Sequence, residues 1–349
     1  MNESNKYMWA LAIATYNRAD VLLRCVELAL DQTLPPDEIV IVDGSEDWEE
    51  TYKRMCELLV RRQNKTPLVY QAAKVRSAAA QRNQCVEAAS ADVLFLFDDD
   101  TLMYPDCAEK ILAVYNADPQ HQVAGVAAIS RRFPPDMQQA VLGDSDIVPE
   151  KPPRGRWVNA VRKLLKTHDI FVPYNESIPD PPIPDAVAAM PVGRRHTMAG
   201  FSMTVRRPYA LKEPFSEFLL DRGPEDSDMS YRLLWHGALL TALDAKVCHV
   251  GSPSGRFSQF SRVALGGVGA LVLHRYFSDD VERSRRQCRQ MLRRRLRIGL
   301  AKDVYYRQLS FPRTRGMAFA LRHSNRIFSL SQEDCGAWYR RVGQRMLNR

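Results

Sequence analysis

An α/β fold is predicted, a mainly parallel sheet flanked by helices and followed by a C-terminal helical region. Three observations carry it. Continuous apolar runs alternate with helical segments through the first 130 residues, polar clusters close several of those runs, and an arginine-rich helical pattern fills the end of the chain. Apolar strands separated by helices imply a sheet covered on both faces. With 349 residues, 45% hydrophobic and 26% charged, the chain has room for one large domain plus an appendage, or for two domains.

The elements follow in order. Trp9 to Ala14 reads as a buried strand and Ala19 to Asp31 as a helix with apolar residues at helical spacing. Glu38 to Asp43 is a second strand and Glu46 to Arg62 a second helix. Pro67 to Gln71 is a short third strand, followed by an Ala-rich helix from Ser77 to Ala89. The run Val93 to Phe97 is a fourth strand, Pro105 to Asn116 a helix, and Val123 to Ile129 a further strand. Residues 131–196 hold many of the 21 prolines and read as a long insertion with one short helix at Trp157 to Lys166. A strand-like run returns at Thr197 to Val205. Gly223 to Gly237 reads as a helix with Pro224 and acids in its first turn and Gly237 at its end. Two short strands, Ala238 to Leu243 and Lys246 to Val250, precede the loop around His249 to Arg256, and helices fill the remainder.

This order gives an α/β domain over 1–262 and a basic helical region over 263–349. The first splits into the regular alternation (1–130), the insertion (131–196) and a last strand-and-helix part (197–262). The stretch Val263 to Leu273 is too short and Gly-rich to span a bilayer, which takes about 20 apolar residues. The N-terminus has no basic region with an apolar core, so no signal peptide is expected. Seven scattered cysteines without a Cys-x-x-Cys pair fit a reducing cytoplasm.

The net charge of +8 is unevenly placed. From Arg275 to Arg349 there are 19 Lys/Arg against 6 Asp/Glu, a net +13, while the rest of the chain is net −5. The segment Val281 to Arg297 lacks a nucleic-acid module and interleaved aromatics, so no nucleic-acid partner is expected. A basic helical face suits an anionic membrane surface. A helical bundle packed on the first domain, or on a second copy of the chain, is an equal alternative.

In parallel sheets, ligands bind beyond the carboxyl ends of the strands. Three strand ends carry polar clusters: Thr15-Tyr-Asn17-Arg18, Asp43-Gly-Ser45 and Asp98-Asp99-Asp100. Three adjacent carboxylates repel one another unless a positive group offsets them, so the triplet is either a solvated turn or a cation site. Mg²⁺ and Mn²⁺ take oxygen ligands, and Mn²⁺ also accepts an imidazole nitrogen such as that of His249. Glu225 and Asp226 suit a general base, or simply a helix N-terminus favoured by the macrodipole. Arg76, Arg82 and Asn83 either face a phosphate or are ordinary surface residues.

The ordered set AIATYNRADVLLRCVELALDQTLPPDEIVIVDGSED, SAAAQRNQCVEAASADVLFLFDDDT, TMAGFSMTVRR and PEDSDMSYRLLWHGALLTALDAKVCHVG resembles the inverting glycosyltransferases of family 2, which have the GT-A (Rossmann-like) fold. The resemblance covers roughly residues 8–130 and 197–251, and it implies that 1–262 is a catalytic domain with a nucleotide-binding part (1–130) and an acceptor and catalytic part (197–262). It implies that Thr15, Asn17, Arg18, Asp43, Arg82, Asn83, Asp98 and Asp99 contact a nucleotide sugar. It also implies that Asp100, Asp98 and His249 hold Mn²⁺ or Mg²⁺, and that Asp226, beside Glu225, is the catalytic base. The run Val42-Asp-Gly-Ser45 is one residue shorter than the family's usual Val-Asp-Asp/Asn-Gly-Ser, which puts the role of Ser45 in question.

The expected activity is transfer of a hexosyl-type sugar from a nucleotide-diphosphate sugar, with UDP the commonest donor in the family. The acceptor is a hydroxyl of a saccharide or lipid-linked saccharide in surface polysaccharide synthesis, at the cytoplasmic side of the membrane. Two alternatives are a catalytically silent scaffold of the same fold that binds a partner or membrane, and a sugar-nucleotide nucleotidyltransferase. The second lacks a Gly-rich, Lys-containing phosphate loop in ATYNRAD.

Overall fold

The computed structural model describes residues 7–135, 172–175, 177–219, 224–251 and 258–347. The helix expected at Trp157 to Lys166, and most of the loop after His249, lie outside the described residues. Two compact units emerge. The first draws on residues 1–149, 179–216 and 226–252, the second on 150–178, 217–225 and 253–349.

The first unit is built on β1 (Trp9–Thr15), β2 (Glu38–Asp43), β3 (Leu68–Ala72), β4 (Val93–Leu96), β5 (Thr101–Met103), β6 (Val123–Arg131), β7 (Val192–Arg195), β8 (Met203–Arg206) and β9 (Ala238–His249). These strands form one sheet in the order β3-β2-β1-β4-β8-β6-β9-β5, with β7 also on β9. Its helices are α1 (Ala19–Leu30), α2 (Trp48–Arg61), α3 (Ala78–Ala88), α4 (Cys107–Asn116), α5 (Asp185–Ala188), α6 (Arg207–Lys212) and α7 (Glu225–Leu233).

Strands β3, β2, β1 and β4 run parallel, as their continuous apolar sequences predict. From Trp9 to Ile13 and from Val93 to Leu96 every residue is buried. Each large apolar side chain removed from water there contributes about 1.5–3 kcal/mol before conformational entropy is subtracted. Beyond β4 the sheet turns mixed: β8 is antiparallel to both β4 and β6, and β5 and β7 are antiparallel to β9. Polar groups are fastened where the sheet covers them. The buried Glu38 carboxylate accepts the N–H groups of Ser90 (2.6 Å) and Ala91 (2.8 Å). Arg206 pairs with Asp118 at 3.1 Å between the rings of Tyr7 and Tyr115, which offsets the cost of burying both charges.

Several boundaries differ from expectation. The two strands predicted over 238–250 are a single β9, because β6 passes from an Ala127↔Thr241 pair to an Ile129↔Lys246 pair across an irregularity that exposes Leu243 and Asp244. The Thr197 to Val205 run is a strand only from Met203, after a tight turn at Gly200–Ser202. Inside the Pro-rich region, β7 and α5 form ordered structure.

The second unit contains α8 (Gln259–Phe277), α9 (Val281–Tyr305), α10 (Pro312–Ser329) and α11 (Gln332–Leu347). The Gly-rich stretch 263–273 is a packing surface. A Cβ on Gly267 would stand 2.8 Å from the Ala320 Cβ, and one on Gly316 would stand 2.8 Å from Val263 Cγ1, so α8 and α10 approach closely only because both positions lack side chains. No helix among the described residues is long and apolar enough to cross a membrane. All seven cysteines are free thiols.

Candidate active site

The carboxyl ends of β1, β2 and β4 converge within the first unit. After β4 the chain stays beside β1 for one more residue, through a parallel bridge between Ala14 and Asp98. It then turns sharply, the Thr101 N–H donating to the Asp98 carbonyl at 3.0 Å. The turn delivers the chain into β5, whose register sets Thr101 opposite His249 on β9. The Val250 N–H also donates to the Asp100 carbonyl at 3.1 Å. A three-residue strand that the sequence does not announce is thus what brings the acidic triplet to the histidine.

The triplet divides its partners. Asp98 receives Arg82 at 2.6 Å. Asp99 accepts from Thr15 Oγ1 at 2.8 Å and from Arg18 at 2.9 Å. Asp100 lies 3.1 Å from His249 Nε2, which is 3.7 Å from Asp98. The His249 ring stacks on Phe201 at 4.7 Å with an interplanar angle of 3°. Phe201 in turn is tied to the acidic turn, because its carbonyl accepts from Thr101 Oγ1 at 2.9 Å. Burial pushes the Asp99 carboxyl up to about 6, against the opposing pull of Arg18 and Thr15.

Asp98, Asp100 and His249 each offer one ligand atom, and the three atoms lie within 4.8 Å of one another. Two carboxylate oxygens and one imidazole nitrogen suit a divalent cation of the Mn²⁺ type, with Mg²⁺ better matched to the oxygens alone. The donor set therefore fits the metal that the sequence implied.

Asp226, on the first turn of α7, joins this cluster through Arg82. One guanidinium nitrogen of Arg82 binds Asp98 and the other binds Asp226 at 3.0 Å, and the group sits 5.3 Å over the Phe215 ring. The second oxygen of Asp226 accepts the Gly200 N–H at 2.8 Å. Desolvation holds the Asp226 carboxyl above the ordinary range. Asp98 adds to the effect, while Arg82 and the Gly200 N–H oppose it.

A Cβ on Gly200 would come within 2.5 Å of Arg82 Nη2 and 2.8 Å of Asp226 Oδ2. Gly200→Ala is therefore expected to separate Arg82 from Asp226 and cut turnover by about tenfold or more, with little loss of global stability. Steady-state kinetics beside a thermal melt checks this, and unchanged turnover would mean that the pair's geometry is not needed.

The remaining predicted residues have defined places. Both oxygens of the buried Asp43 carboxylate are engaged: Oδ1 by the N–H and hydroxyl of Ser45 (2.8 and 2.5 Å), Oδ2 by the Tyr70 hydroxyl (2.6 Å). The Ser45 hydroxyl accepts the Asn17 N–H at 2.7 Å, and Asn17 adopts the left-handed backbone (φ 52°) that asparagine tolerates well. The shortened Asp43-Gly44-Ser45 run thus closes the loop after β1 onto the end of β2. Asn83 pins the backbone of Phe215 at both ends of its amide, at 2.9 and 2.8 Å. Arg76 reaches Glu46 at 3.3 Å. Glu225 is buried at the start of α7.

Residues that the sequence patterns did not single out complete the arrangement. The Gln81 amide donates to the carbonyls of Thr15 (2.8 Å) and Val42 (3.0 Å), clamping the ends of β1 and β2. Phe201, Phe215, Tyr70 and Gly200 act as described above. The one signal available for Gln81 to Gln84 was a run of polar residues in a helix with no polar face, which burial then has to satisfy internally.

Comparisons with known proteins place the chain by sequence and by fold. Residues 10–160 match the model of the family described as Glycosyl transferase family 2. Among solved structures, the chain is similar to the mannosyltransferase PcManGT from Pyrobaculum calidifontis, a structure in complex with GDP-Man and Mn²⁺. The TM-score is 0.53 at 14% identity, covering 92% of this chain and 88% of that one. It is also similar to GalNAc-T7, solved with UDP, GalNAc and Mn²⁺. There the TM-score is 0.51 at 16% identity, covering 79% of this chain and 50% of that one, so this chain spans about half of its length. No curated protein matches in sequence. At such identities the structural likeness speaks to fold, which is that of the GT-A glycosyltransferases, and the likeness to glycosyl transferase family 2 is carried by residues 10–160.

Proposed function

We propose that this protein transfers a sugar from a nucleoside-diphosphate sugar to a hydroxyl acceptor, with inversion, using a divalent cation held by Asp98, Asp100 and His249 and Asp226 as general base. The observation that carries this reading is the Arg82 fork, which sets a cation site and a separate carboxylate with a raised pKa side by side. A glycosyl transfer needs those two groups and no covalent nucleophile.

In this reading, the acceptor hydroxyl gives its proton to Asp226 as its oxygen attacks the anomeric carbon. The bond from that carbon to the phosphate oxygen breaks with its electrons, and a single displacement inverts the configuration. When bound, the cation supplies electrostatic stabilisation for the charge growing on the diphosphate. Arg82 keeps Asp226 oriented and shares its positive charge between the base and Asp98. Thr15, Asn17, Arg18 and Asp43 form the rim on which we place the nucleotide. Asp99 keeps Arg18 and Thr15 in position, and Asn83 supports Arg82 through Phe215. Glu225 starts the helix that carries the base.

The donor carries UDP or GDP, the nucleotides named for the two similar structures, with UDP the first choice from the family resemblance. The acceptor is a saccharide or lipid-linked saccharide in surface polysaccharide assembly on the cytoplasmic side. A catalytically silent scaffold would have no use for a base and a cation site kept together.

Thermal shifts with UDP, GDP, dTDP and CMP, each with and without Mn²⁺, test this reading. One nucleotide is expected to stabilise the protein only when Mn²⁺ is present. At about 100 times the dissociation constant the gain is about 2.7 kcal/mol. Shifts independent of Mn²⁺, or none with any nucleotide, would contradict it.

A further inference from the structure

The arginine-rich helix of the second unit is not uniformly basic. On α9, Arg286, Arg293, Arg297, Leu300 and Val304 are exposed and follow one another at steps of seven, four, three and four residues. At about 100° per residue they fall on one stripe about 60° wide, about 27 Å long from Arg286 to Val304. The stripe is basic along its length and becomes apolar at its C-terminal end.

That end is a fixed tip. Val304, Tyr305, Tyr306 and Leu309 are 61%, 80%, 59% and 89% exposed. Exposed apolar groups in such density are unusual on a soluble surface. The tip is nevertheless fastened. The Asp303 carboxylate beneath it accepts the N–H and hydroxyl of Thr314, both at 2.9 Å, and Arg313 at 3.0 Å. The Gln308 N–H donates to the Asp303 carbonyl at 2.8 Å, and Arg313 lies 5.1 Å over the Tyr306 ring. Arg307 (φ 51°) and Phe311 (φ 47°) take left-handed backbone that non-glycine residues rarely adopt. Bonds and backbone together hold the turn in a shape that presents its apolar side chains outward.

We propose that this surface, the outer stripe of α9 with the 304–309 tip, docks on an anionic lipid bilayer. Leu309 and Val304 enter the interfacial layer, the two tyrosines sit at headgroup level, and Arg286, Arg293, Arg297 and Arg307 meet the lipid charge. Charge complementarity selects this occupant: the acids of α9 and its approach, Asp279, Asp280 and Glu282, lie at the far end from the tip, and Asp303 is buried and paired. An apolar edge combined with a basic face is the signature of interfacial attachment, and aromatic residues favour the same depth. An apolar protein partner would have no need of the basic stripe.

The test is co-sedimentation of the full chain with vesicles of phosphatidylcholine alone and with about one third phosphatidylserine. Binding is expected only to the anionic vesicles, and it is expected to weaken with salt. The variant Val304→Ser/Leu309→Ser should lower partitioning by about tenfold or more while keeping the salt dependence. Arg293→Gln/Arg297→Gln should lower it by about tenfold and flatten the salt dependence. All four residues are exposed and lie outside the proposed catalytic cluster, so thermal melts and nucleotide-dependent stabilisation should match the wild type. Equal binding to both vesicle types, no binding to either, or undiminished partitioning by the serine variant would overturn the proposal. So would concentration-dependent dimerisation that is lost in the serine variant without vesicle binding, which would give the surface to a second copy of the chain.

Discussion

Asp226→Asn is expected to bind the metal and donor nucleotide as the wild type does, and to transfer sugar about 10³-fold more slowly. The asparagine amide is nearly isosteric, but it has no carboxylate to accept the acceptor proton. General-base contributions run from about 10² to 10⁴, and a 10³-fold loss corresponds to about 4 kcal/mol of transition-state stabilisation. Where no acceptor is in hand, slow transfer to water serves as the readout through release of nucleoside diphosphate. The wild-type profile should also carry an acidic limb, because a carboxylate serves as a base only when ionised. The Asp226 pKa is raised, so activity rises with pH through a midpoint above the ordinary carboxylate range. That limb should be absent from the variant. Near-normal turnover by Asp226→Asn would remove Asp226 from the base role.

The second large effect belongs to Asp100→Asn, and it has two parts. Asp100 is 2% exposed beside two other carboxylates. Neutralising it removes one of three crowded negative charges, while Arg18, 3.7 Å from Asp100, keeps its closer partner Asp99 at 2.9 Å, so the metal-free protein is expected to melt no lower than the wild type. The added stabilisation by nucleotide with Mn²⁺, however, should fall to the level of nucleotide alone, because one of three ligands is gone. A destabilising mutation that merely damaged the fold would lower both melts. A stable apo-protein with an intact Mn²⁺ response would exclude Asp100 from the metal site.

The parts of the molecule most legible in the sequence were those whose side chains obey one rule. Strands β1, β2 and β4 are apolar on both faces, so Trp9 to Ala14 and Val93 to Phe97 announce a covered sheet. Thr15, Arg18, Arg82, Asp98, Asp99, Asp100, Asp226 and His249 do come together in one cluster. What escaped was decided by tertiary contacts. The strand Thr101–Met103 is too short to show periodicity and exists because β9 pairs with it. The strand Val192–Arg195 follows a Pro-rich stretch that reads as loop, yet it adds to the edge of β9. Asp244 reads as a break between strands but sits in an irregularity of one strand. The division of labour within the acidic triplet depends on which cation reaches each carboxylate, and no spacing encodes that. Asn83 shows the same limit: its amide holds the backbone of Phe215, a contact 132 residues away along the chain.

Proton NMR of the sugar released or transferred from the preferred nucleotide sugar, with Mn²⁺ present and within the first turnovers, tests the proposed mechanism most directly. A single displacement directed by Asp226 predicts that the first anomer formed is opposite in configuration to that of the donor, and that chelating the metal abolishes its formation. A first product with the donor's own configuration would require a covalent intermediate or a front-face route. It would contradict Asp226 as the base of a single displacement, and product formation that survives chelation would contradict the Asp98–Asp100–His249 cluster as the cation site.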